Sequence, residues 1–595
     1  MKDKSYKMNG VIISELKILR LFQAFICLFC SAIWILCLKN SIANKKIYLL
    51  CVILALVSSC FSCEIKDKLE KVFGSEKKQK LIVIPAILLS TMVTVANWNL
   101  YRGLYKNLNV FYFVTVLLTG IYTFYRAIIG IYAIYLCKDF SLQIYTKRQM
   151  LSVFGFVFCF CFAIDMLFLF LVADPGIVTN DSLAQINNIL TGEYSNHHPI
   201  FNTMVIKLFV DIAFMLKANI NVGILLFCIF QSIFMSLIFA YCVETMCEMG
   251  LNKVVLAIVT LFYALVPYNF VYSVTLTKDT MFAGFALILV ISLFRIREQL
   301  GGRIISMILL SVSSIGFILF RTNGYYAFIA LLVILLLVRY NGKKETVCIA
   351  LSAFAIAAIL RGPVLNVLNV VQPDTAESLS IPLQQIGRYI KDGGMLTDSE
   401  KAYLYRIMDV DRIADEYEDW ISDPMKNLVR NAGGNSIIEA DRAEFIKTWI
   451  SLGMKSPELY MDAWVDMTRA YYNSSYSNGS IYYIGVIENN LGIDTNVRSE
   501  KLKNIIVKCD SIMQGKAITG MGLCLWILVI LITFSLMNHD YGFIENTVFV
   551  AIVLTLLIAT PVGNSFRYEY PIFVGLPFVL VDTVYLRGKC KNNTF

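Results

Sequence analysis

The chain has 595 residues, of which 57% are hydrophobic and 16% are charged, and its mean hydropathy is +0.66. A soluble globular protein cannot bury that much apolar surface, so the composition excludes that class and predicts a polytopic membrane protein. The net charge of +9 does not indicate nucleic-acid binding. The basic residues fall in short loops beside apolar runs, which is the pattern of the cytoplasmic loops of membrane proteins.

Apolar runs predict an all-α fold with about fourteen transmembrane helices. The first run follows a charged segment without a small-residue cleavage site, so we expect a retained helix and a cytoplasmic N-terminus. The runs lie at 18–38, 46–63, 81–100, 109–136, 151–172, 220–243, 254–272, 280–296, 303–320, 325–339, 346–362, 518–537, 545–561 and 570–586.

Segment 199–217 is apolar, yet Lys207 and Asp211 stand four residues apart on one helical face. We interpret it as an amphipathic helix that lies in the membrane interface and does not cross. With this topology the later Arg and Lys clusters fall on the cytoplasmic side. The polar segment 173–199 and the long insert 363–515 then lie on the extracytoplasmic side.

These patterns divide the chain into four regions. The insert carries 22 Asp and Glu against 15 Lys and Arg, and its periodicity is helical. Its acid-rich stretch 409–423 is typical of a solvated helix face. The predicted regions are an accessory bundle of four transmembrane helices (1–148), a transmembrane core with a first outer loop at 173–219 (149–362), an extracytoplasmic helical domain (363–515) and C-terminal helices that complete the core (516–595).

Segment 173–199 holds two Asp, one Glu, two of the three histidines in the chain, and no Lys or Arg. A carboxylate just outside a membrane helix can act as a general base on a hydroxyl, and Asp174 and Asp181 are the candidates. Asp181 also stands at a predicted helix N-cap, a role that would explain it structurally. His197 and His198 are candidates for phosphate contact. Adjacent histidines are weak evidence for metal, so a divalent ion stays open and no cofactor is predicted.

Three cations adjoin apolar runs on the predicted outer side, where positive charge is disfavoured. They are Lys278, Arg321 and Arg567. Snorkelling at the interface would explain each one separately. An anionic ligand such as phosphate would explain all three, because Arg presents a rigid fork of donors to phosphate oxygens.

Several short segments together resemble the glycosyltransferase C superfamily of polytopic membrane glycosyltransferases, and most of all a bacterial branch of it. The first two are D-P-G-I-V-T-N-D-S-L-A-Q and S-N-H-H-P-I. The resemblance covers about 151–587 and not the first four predicted spans. The segments lie at 174–185, 195–200, 277–279, 321–325, 447–460 and 567–571.

The resemblance implies a polyprenyl-phosphate-linked sugar as donor and a cell-envelope glycan or lipid as acceptor, at the extracytoplasmic face of the plasma membrane. Asp181 would deprotonate the acceptor hydroxyl, and sugar transfer would proceed with inversion. Asn180 stands where many members have a second acid, which leaves open whether Asp174 or Asp181 is the base. The implied substrate-binding residues are His197, His198, Lys278, Asp279, Arg321, Asn323, Arg567 and Tyr568.

Three other functions stay open at this point. A polymerase or ligase of lipid-linked polysaccharide would also use outer cations and a large outer loop. A transporter or flippase would need charged or broken helices inside the membrane, and Arg126 and Asp165 are the charges that stand out within the first five spans. A non-catalytic scaffold would be indifferent to substitution of Asp181.

Overall fold

The structure is a computed structural model that describes residues 22–38, 45–60, 76–101, 109–137, 142–474, 483–515, 520–538 and 540–592. Within these ranges the chain forms helices joined by loops, with isolated β-bridges and no strands. The predicted all-α fold is therefore confirmed. Residues 1–21, on which the predicted cytoplasmic N-terminus depends, lie outside the described residues.

The helices fall into three groups along the chain. The first group is α1 (Phe22–Leu38), α2 (Lys45–Cys60), α3 (Glu76–Ala96), α4 (Val110–Cys137), α5 (Lys147–Val172), α6 (Asn180–Thr191), α7 (Ile200–Met215), α8 (Ile220–Glu248), α9 (Lys253–Leu265), α10 (Pro267–Ser273), α11 (Lys278–Glu298), α12 (Arg303–Leu319), α13 (Thr322–Leu337) and α14 (Lys343–Ile359). The insert contains α15 (Thr375–Ser378), α16 (Ser380–Lys391), α17 (Asp398–Ile407), α18 (Ile413–Glu416), α19 (Asp423–Asn431), α20 (Gly434–Ala440), α21 (Arg442–Lys455), α22 (Pro457–Thr468) and α23 (Glu500–Gly515). The last group is α24 (Met521–Asn538), α25 (Phe543–Ala559) and α26 (Phe566–Asn592).

Among the described residues, seven helices are long and apolar enough to cross a membrane, or eight if the bent pair α9 and α10 is one span. Six further helices, namely α1, α2, α3, α12, α13 and α25, contain shorter apolar stretches of 10 to 17 residues. Each predicted run overlaps one of these helices in the described part of the chain. The predicted count of about fourteen spans is nevertheless not confirmed, because these six apolar stretches are shorter than a full span of about 20 residues.

Helix α11 is the centre of the bundle, and its whole apolar stretch is buried. It packs against α8, α12 and α26. At its C-terminal end Arg297 pairs with Glu545 at 3.0 Å and with Asp582 at 3.4 Å, and all three side chains are buried. These ion pairs compensate charges that would be costly to bury alone. The N-terminal end of α11 carries Lys278 and Asp279.

The N-terminal helices pack directly on the C-terminal ones. The ring of Trp526 in α24 makes edge-on contacts with Tyr48 and Phe124, at centroid distances of 5.9 and 5.1 Å. The hydroxyl of Tyr132 donates to Oδ1 of Asn538 at 2.8 Å. The accessory bundle and the core therefore share one hydrophobic interior. The proposed division between them stays a prediction.

Helix α7 covers the predicted segment. Lys207 and Asp211 form an ion pair at 2.7 Å on a partly exposed face, while Ile206 and Val210 are buried on an adjacent face. The helix prediction is thus confirmed, and its position in the membrane interface stays a prediction.

The insert is a helical layer with its own hydrophobic core, which includes Leu404, Ile407 and Leu428. It contacts the rest of the chain through short β-bridges. Val486 pairs with Val178, and Ile421 pairs with Val562. Through these contacts the insert packs on the 173–199 segment and on the turn between α25 and α26.

Candidate functional site

The candidate site lies where α6, α11, α13 and α26 begin. Asp181, Lys278, Asn323 and Arg567 each stand in the first turn of one of these helices. The first backbone N–H groups of a helix have no partner within the helix, and the helix dipole makes that end partially positive. Four such ends with added cations form a positive environment, which suits an anion.

Asp181 is the centre of the site. Its Oδ2 atom accepts hydrogen bonds from Nη1 of Arg567 at 2.9 Å and from Nζ of Lys278 at 3.3 Å. Its Oδ1 atom accepts no hydrogen bond from the part of the chain that the structure describes, and the side chain is 29% exposed. One carboxylate oxygen is therefore held by cations, while the other has no hydrogen-bond donor among the described residues.

The predicted N-cap role of Asp181 is wrong. Helix α6 begins at Asn180 and its N-cap is Thr179. The backbone N–H of Thr179 donates to the hydroxyl of Ser182 at 3.0 Å, so the cap is made without Asp181. Free of that role, the Asp181 carboxylate faces Lys278 and Arg567.

His198 completes the cluster around Lys278. The distance from Nζ of Lys278 to Nδ1 of His198 is 2.9 Å. An ammonium group can only donate, so Nδ1 accepts and the ring proton lies on Nε2. Burial and the adjacent Lys278 lower the pKa of His198 to about 3, so the imidazole is neutral at neutral pH.

The electrostatics keep Asp181 ionised. Burial alone would raise the pKa of Asp181, but Lys278 and Arg567 outweigh burial and hold that pKa well below its usual range. Asp181 is therefore a carboxylate whose basicity is suppressed by its two cations. Any ligand that draws these cations away would raise its basicity.

A second ion pair adjoins the first. Nη1 of Arg321 lies 2.8 Å from Oδ1 of buried Asp279. The guanidinium of Arg321 stacks over the ring of Tyr568 at 4.5 Å, and that of Arg567 lies 5.0 Å from the same ring centroid. Tyr568 thus joins the two cation clusters.

Asn323 follows Arg321 by two residues. Both polar atoms of its amide group are buried, and they make no hydrogen bond within the described residues. Buried amides are normally satisfied, so the Asn323 amide is an exception within the described residues.

Two predicted site residues lie outside the cluster. Asp174 pairs with Arg498 of the insert at 2.9 Å, and its backbone forms a bridge with Asn496. His197 is exposed and touches the site only through the ring of His198, at a centroid distance of 4.8 Å. Asp181 therefore lies in the cation cluster, and Asp174 does not.

A cavity of about 690 Å³ opens beside Asp181 and Arg567, within the range of small-molecule sites. Core residues Tyr272 and Val271 line one side, and Trp420, Tyr483 and Asp466 of the insert line another. Trp420 and Asp466 of the insert were not among the predicted site residues. The signal was Trp420, an aromatic residue within the acid-rich stretch 409–423 that was interpreted as a solvated face.

No three His, Cys, Asp or Glu side chains come together as a metal-binding group in the ranges that the structure describes. The carboxylate of Asp181 is instead paired with cationic side chains.

Residues 190–593 match the protein family DUF6020, a family of unknown function. The matched region contains His198, Lys278, Arg321 and Arg567, and it begins nine residues after Asp181. No curated protein and no solved structure matches the chain. Because the match spans more than half of its length, the chain belongs to the DUF6020 family.

Proposed function

We propose that this protein is an integral membrane glycosyltransferase. It moves a sugar from a polyprenyl-phosphate donor to a hydroxyl group of a cell-envelope acceptor, at the extracytoplasmic face of the plasma membrane. The observation that carries the proposal is the contact of the Asp181 carboxylate with Lys278 and Arg567 beside a cavity large enough for a sugar.

The residues account for each part of the reaction. The acceptor hydroxyl binds at Oδ1 of Asp181 and gives up its proton there. Its oxygen attacks the anomeric carbon from the face opposite the phosphate, so the configuration inverts. The bond from that carbon to the phosphate oxygen breaks, and polyprenyl phosphate leaves with the electron pair. Lys278 and Arg567 stabilise the charge that develops on the phosphate.

Donor binding also activates the base in this scheme. The donor phosphate competes with Asp181 for the hydrogen bonds of Lys278 and Arg567. As these cations turn toward the phosphate, the basicity of Asp181 rises toward the range that suits a general base. Asp181 is thus a stronger base when a donor is bound.

The cavity supports a sugar as the group that is transferred or accepted. Trp420, Tyr272 and Tyr483 offer flat apolar faces, and Asp181 and Asp466 offer acceptors for hydroxyl groups. The insert supplies nine of the 22 residues that line the cavity, which supports a part for it in holding the sugar or the acceptor.

A transporter or flippase of lipid-linked glycan is the second candidate. Helices α9 and α10 are bent by 51° at Pro267, and Asp165 is buried in α5. Broken helices and buried charges inside the membrane are typical of transporters. A flippase would move the lipid-linked glycan without releasing free polyprenyl phosphate.

The test compares wild type with Asp181→Asn in the native host. Asp211→Asn is the matched control, because Asp211 forms an exposed ion pair on α7. Surface glycans and polyprenyl-phosphate sugars are profiled by mass spectrometry in membranes with equal protein levels. We expect Asp181→Asn alone to remove one sugar from a surface polymer and to accumulate the matching lipid-phosphate sugar. Unchanged amounts of the surface-polymer sugar and of the polyprenyl-phosphate sugar in Asp181→Asn would refute the proposal.

A further inference from the structure

Asp165 lies inside the bundle, away from the candidate site. It stands seven residues before the end of α5, which is about 10 Å into the span at 1.5 Å per residue. Its residue is 5% exposed. Within the described residues no Lys or Arg forms an ion pair with it, in contrast to buried Asp582, which pairs with Arg297.

Hydroxyl groups from two other helices surround this carboxyl group. It faces the side chains of Ser232 and Ser236 in α8 and of Ser273 in α10. All three serines are completely buried. The hydroxyl of Ser232 donates to the Ser273 carbonyl at 3.3 Å, which leaves the Ser232 oxygen able to act as a ligand.

The cluster is incompletely satisfied. Oδ2 of Asp165 and the hydroxyls of Ser236 and Ser273 are buried and make no hydrogen bond within the described part of the chain. The hydroxyl of Tyr570 in α26 is likewise buried and unpaired, and it lies within electrostatic range of Asp165. Cys161 is the other titratable group beside Asp165. Several oxygen atoms therefore share one buried space, and the contacts among the described residues do not satisfy all of them.

The carboxylate and hydroxyl oxygens of this cluster are suited to bind a cation. Carboxylate and hydroxyl oxygens are the ligands of hard metal ions. An uncompensated carboxylate inside a membrane is costly, and one positive charge cancels it. A divalent ion would leave a net charge in the interior. The fit is therefore best for a monovalent ion.

We propose that Asp165, Ser232, Ser236 and Ser273 form a buried binding site for a monovalent metal cation of the Na⁺ type at the C-terminal end of α10. Ser273 is the last residue of α10, and the chain then runs from Val274 to Thr277 and into the first turn of α11. Cation binding therefore stabilises the segment that leads to Lys278. The inference does not depend on the proposed function.

The test measures the thermal midpoint (Tm) of the purified full chain in detergent. Na⁺ is titrated at constant ionic strength against choline, with K⁺ in a parallel series. A ligand that binds only the folded state raises Tm saturably, so we expect a saturable rise of a few degrees with Na⁺ and none with choline. Asp165→Asn, which keeps the shape and removes the charge, abolishes the rise.

Serine variants keep the test decisive if Asp165→Asn fails to fold. Ser236→Ala shifts the half-saturating Na⁺ concentration upward by about tenfold, the effect of one lost ligand of about 1.4 kcal/mol. Ser314→Ala is the control, because Ser314 is an equally buried and unpaired serine in α12, and it leaves the titration unchanged. A wild-type Tm that responds to pH but not to Na⁺ overturns the proposal, because a proton then neutralises Asp165. An unaltered Na⁺ response in Ser236→Ala or Asp165→Asn also overturns it.

Discussion

Arg567 donates a hydrogen bond to Oδ2 of Asp181 at 2.9 Å, although 386 residues separate them in sequence. The contact joins the first turn of α26 to the first turn of α6. It links a cation inside the family-matched region to a carboxylate just before that region. Both helices direct their partially positive ends to the same place, so a phosphate there would meet two helix N-termini and two cationic side chains.

Loss of Lys278 is expected to weaken use of the donor. Lys278→Gln removes a charge-assisted hydrogen bond to phosphate, which contributes about 1.5–3 kcal/mol, so kcat/KM for the donor falls roughly 10- to 100-fold. The measurement is a donor titration at fixed acceptor. Lys207→Gln, on the partly exposed face of α7, serves as the control and keeps wild-type values. An unchanged kcat/KM in Lys278→Gln would remove Lys278 from the donor site.

His198 is expected to make the protein less stable in acid. Its pKa falls from 6.5 to about 3 in the folded state, so between these values the unfolded chain binds more protons than the folded one. The contribution of His198 to the stability of the folded protein therefore falls as the pH drops from 6.5 to about 3. His198→Asn keeps an acceptor for Lys278 but cannot titrate, so its Tm declines less steeply from about pH 7 to about pH 5. Equal slopes in His198→Asn and in wild type would contradict this role of His198.

Gly324 holds α13 close to its neighbours. A Cβ atom there would lie 2.1 Å from the carbonyl oxygen of Phe317 and 2.7 Å from the ring of Phe282. Gly324→Ala must therefore push the start of α13 outward and displace Arg321 and Asn323, so we expect activity to fall at least about tenfold. Gly362→Ala, whose Cβ would meet nothing within 4 Å, is the control and keeps activity. Activity is compared per amount of folded protein, and full activity in Gly324→Ala would show that Arg321 and Asn323 do not need this packing.

The ion pairs at the other end of α11 are expected to stabilise the bundle. Arg297→Gln leaves buried Glu545 and Asp582 without their cation, at a cost of about 3–5 kcal/mol, so the midpoint of thermal unfolding in detergent falls clearly. The exposed pair of Arg303 and Glu345 offers the comparison, because Arg303→Gln costs at most about 1 kcal/mol. Similar losses in both variants would show that burial does not set the strength of these pairs.

Local patterns were sufficient to predict the helices. Apolar runs and 3.6-residue periodicity are properties of short segments, so α5, α8 and α11 lie close to the predicted bounds. The number of complete spans could not be obtained in this way. The run 254–272 reads as one span, whereas Pro267 starts a new helix at an angle of 51° to the preceding one.

The site was predictable only where charge patterns pointed to it. Lys278, Arg321 and Arg567 stood out because cations were unexpected beside those apolar runs. The partner of Asp174 could not be foreseen, because Arg498 lies 324 residues away and is brought close only by the fold. The contribution of Trp420 was hidden for the same reason, since the packing of the insert on the core is a long-range property.

The most direct test of the proposed sugar transfer uses the purified full chain and the lipid-linked sugar that accumulates in Asp181→Asn cells. Wild-type protein is mixed with this lipid and with membranes that carry the unmodified acceptor, and free polyprenyl phosphate and glycosylated acceptor are measured together. We expect both products to appear in equal amounts, and Asp181→Asn to form them at least about 100-fold more slowly. Absence of free polyprenyl phosphate with wild-type protein, or equal rates in the two proteins, would contradict it.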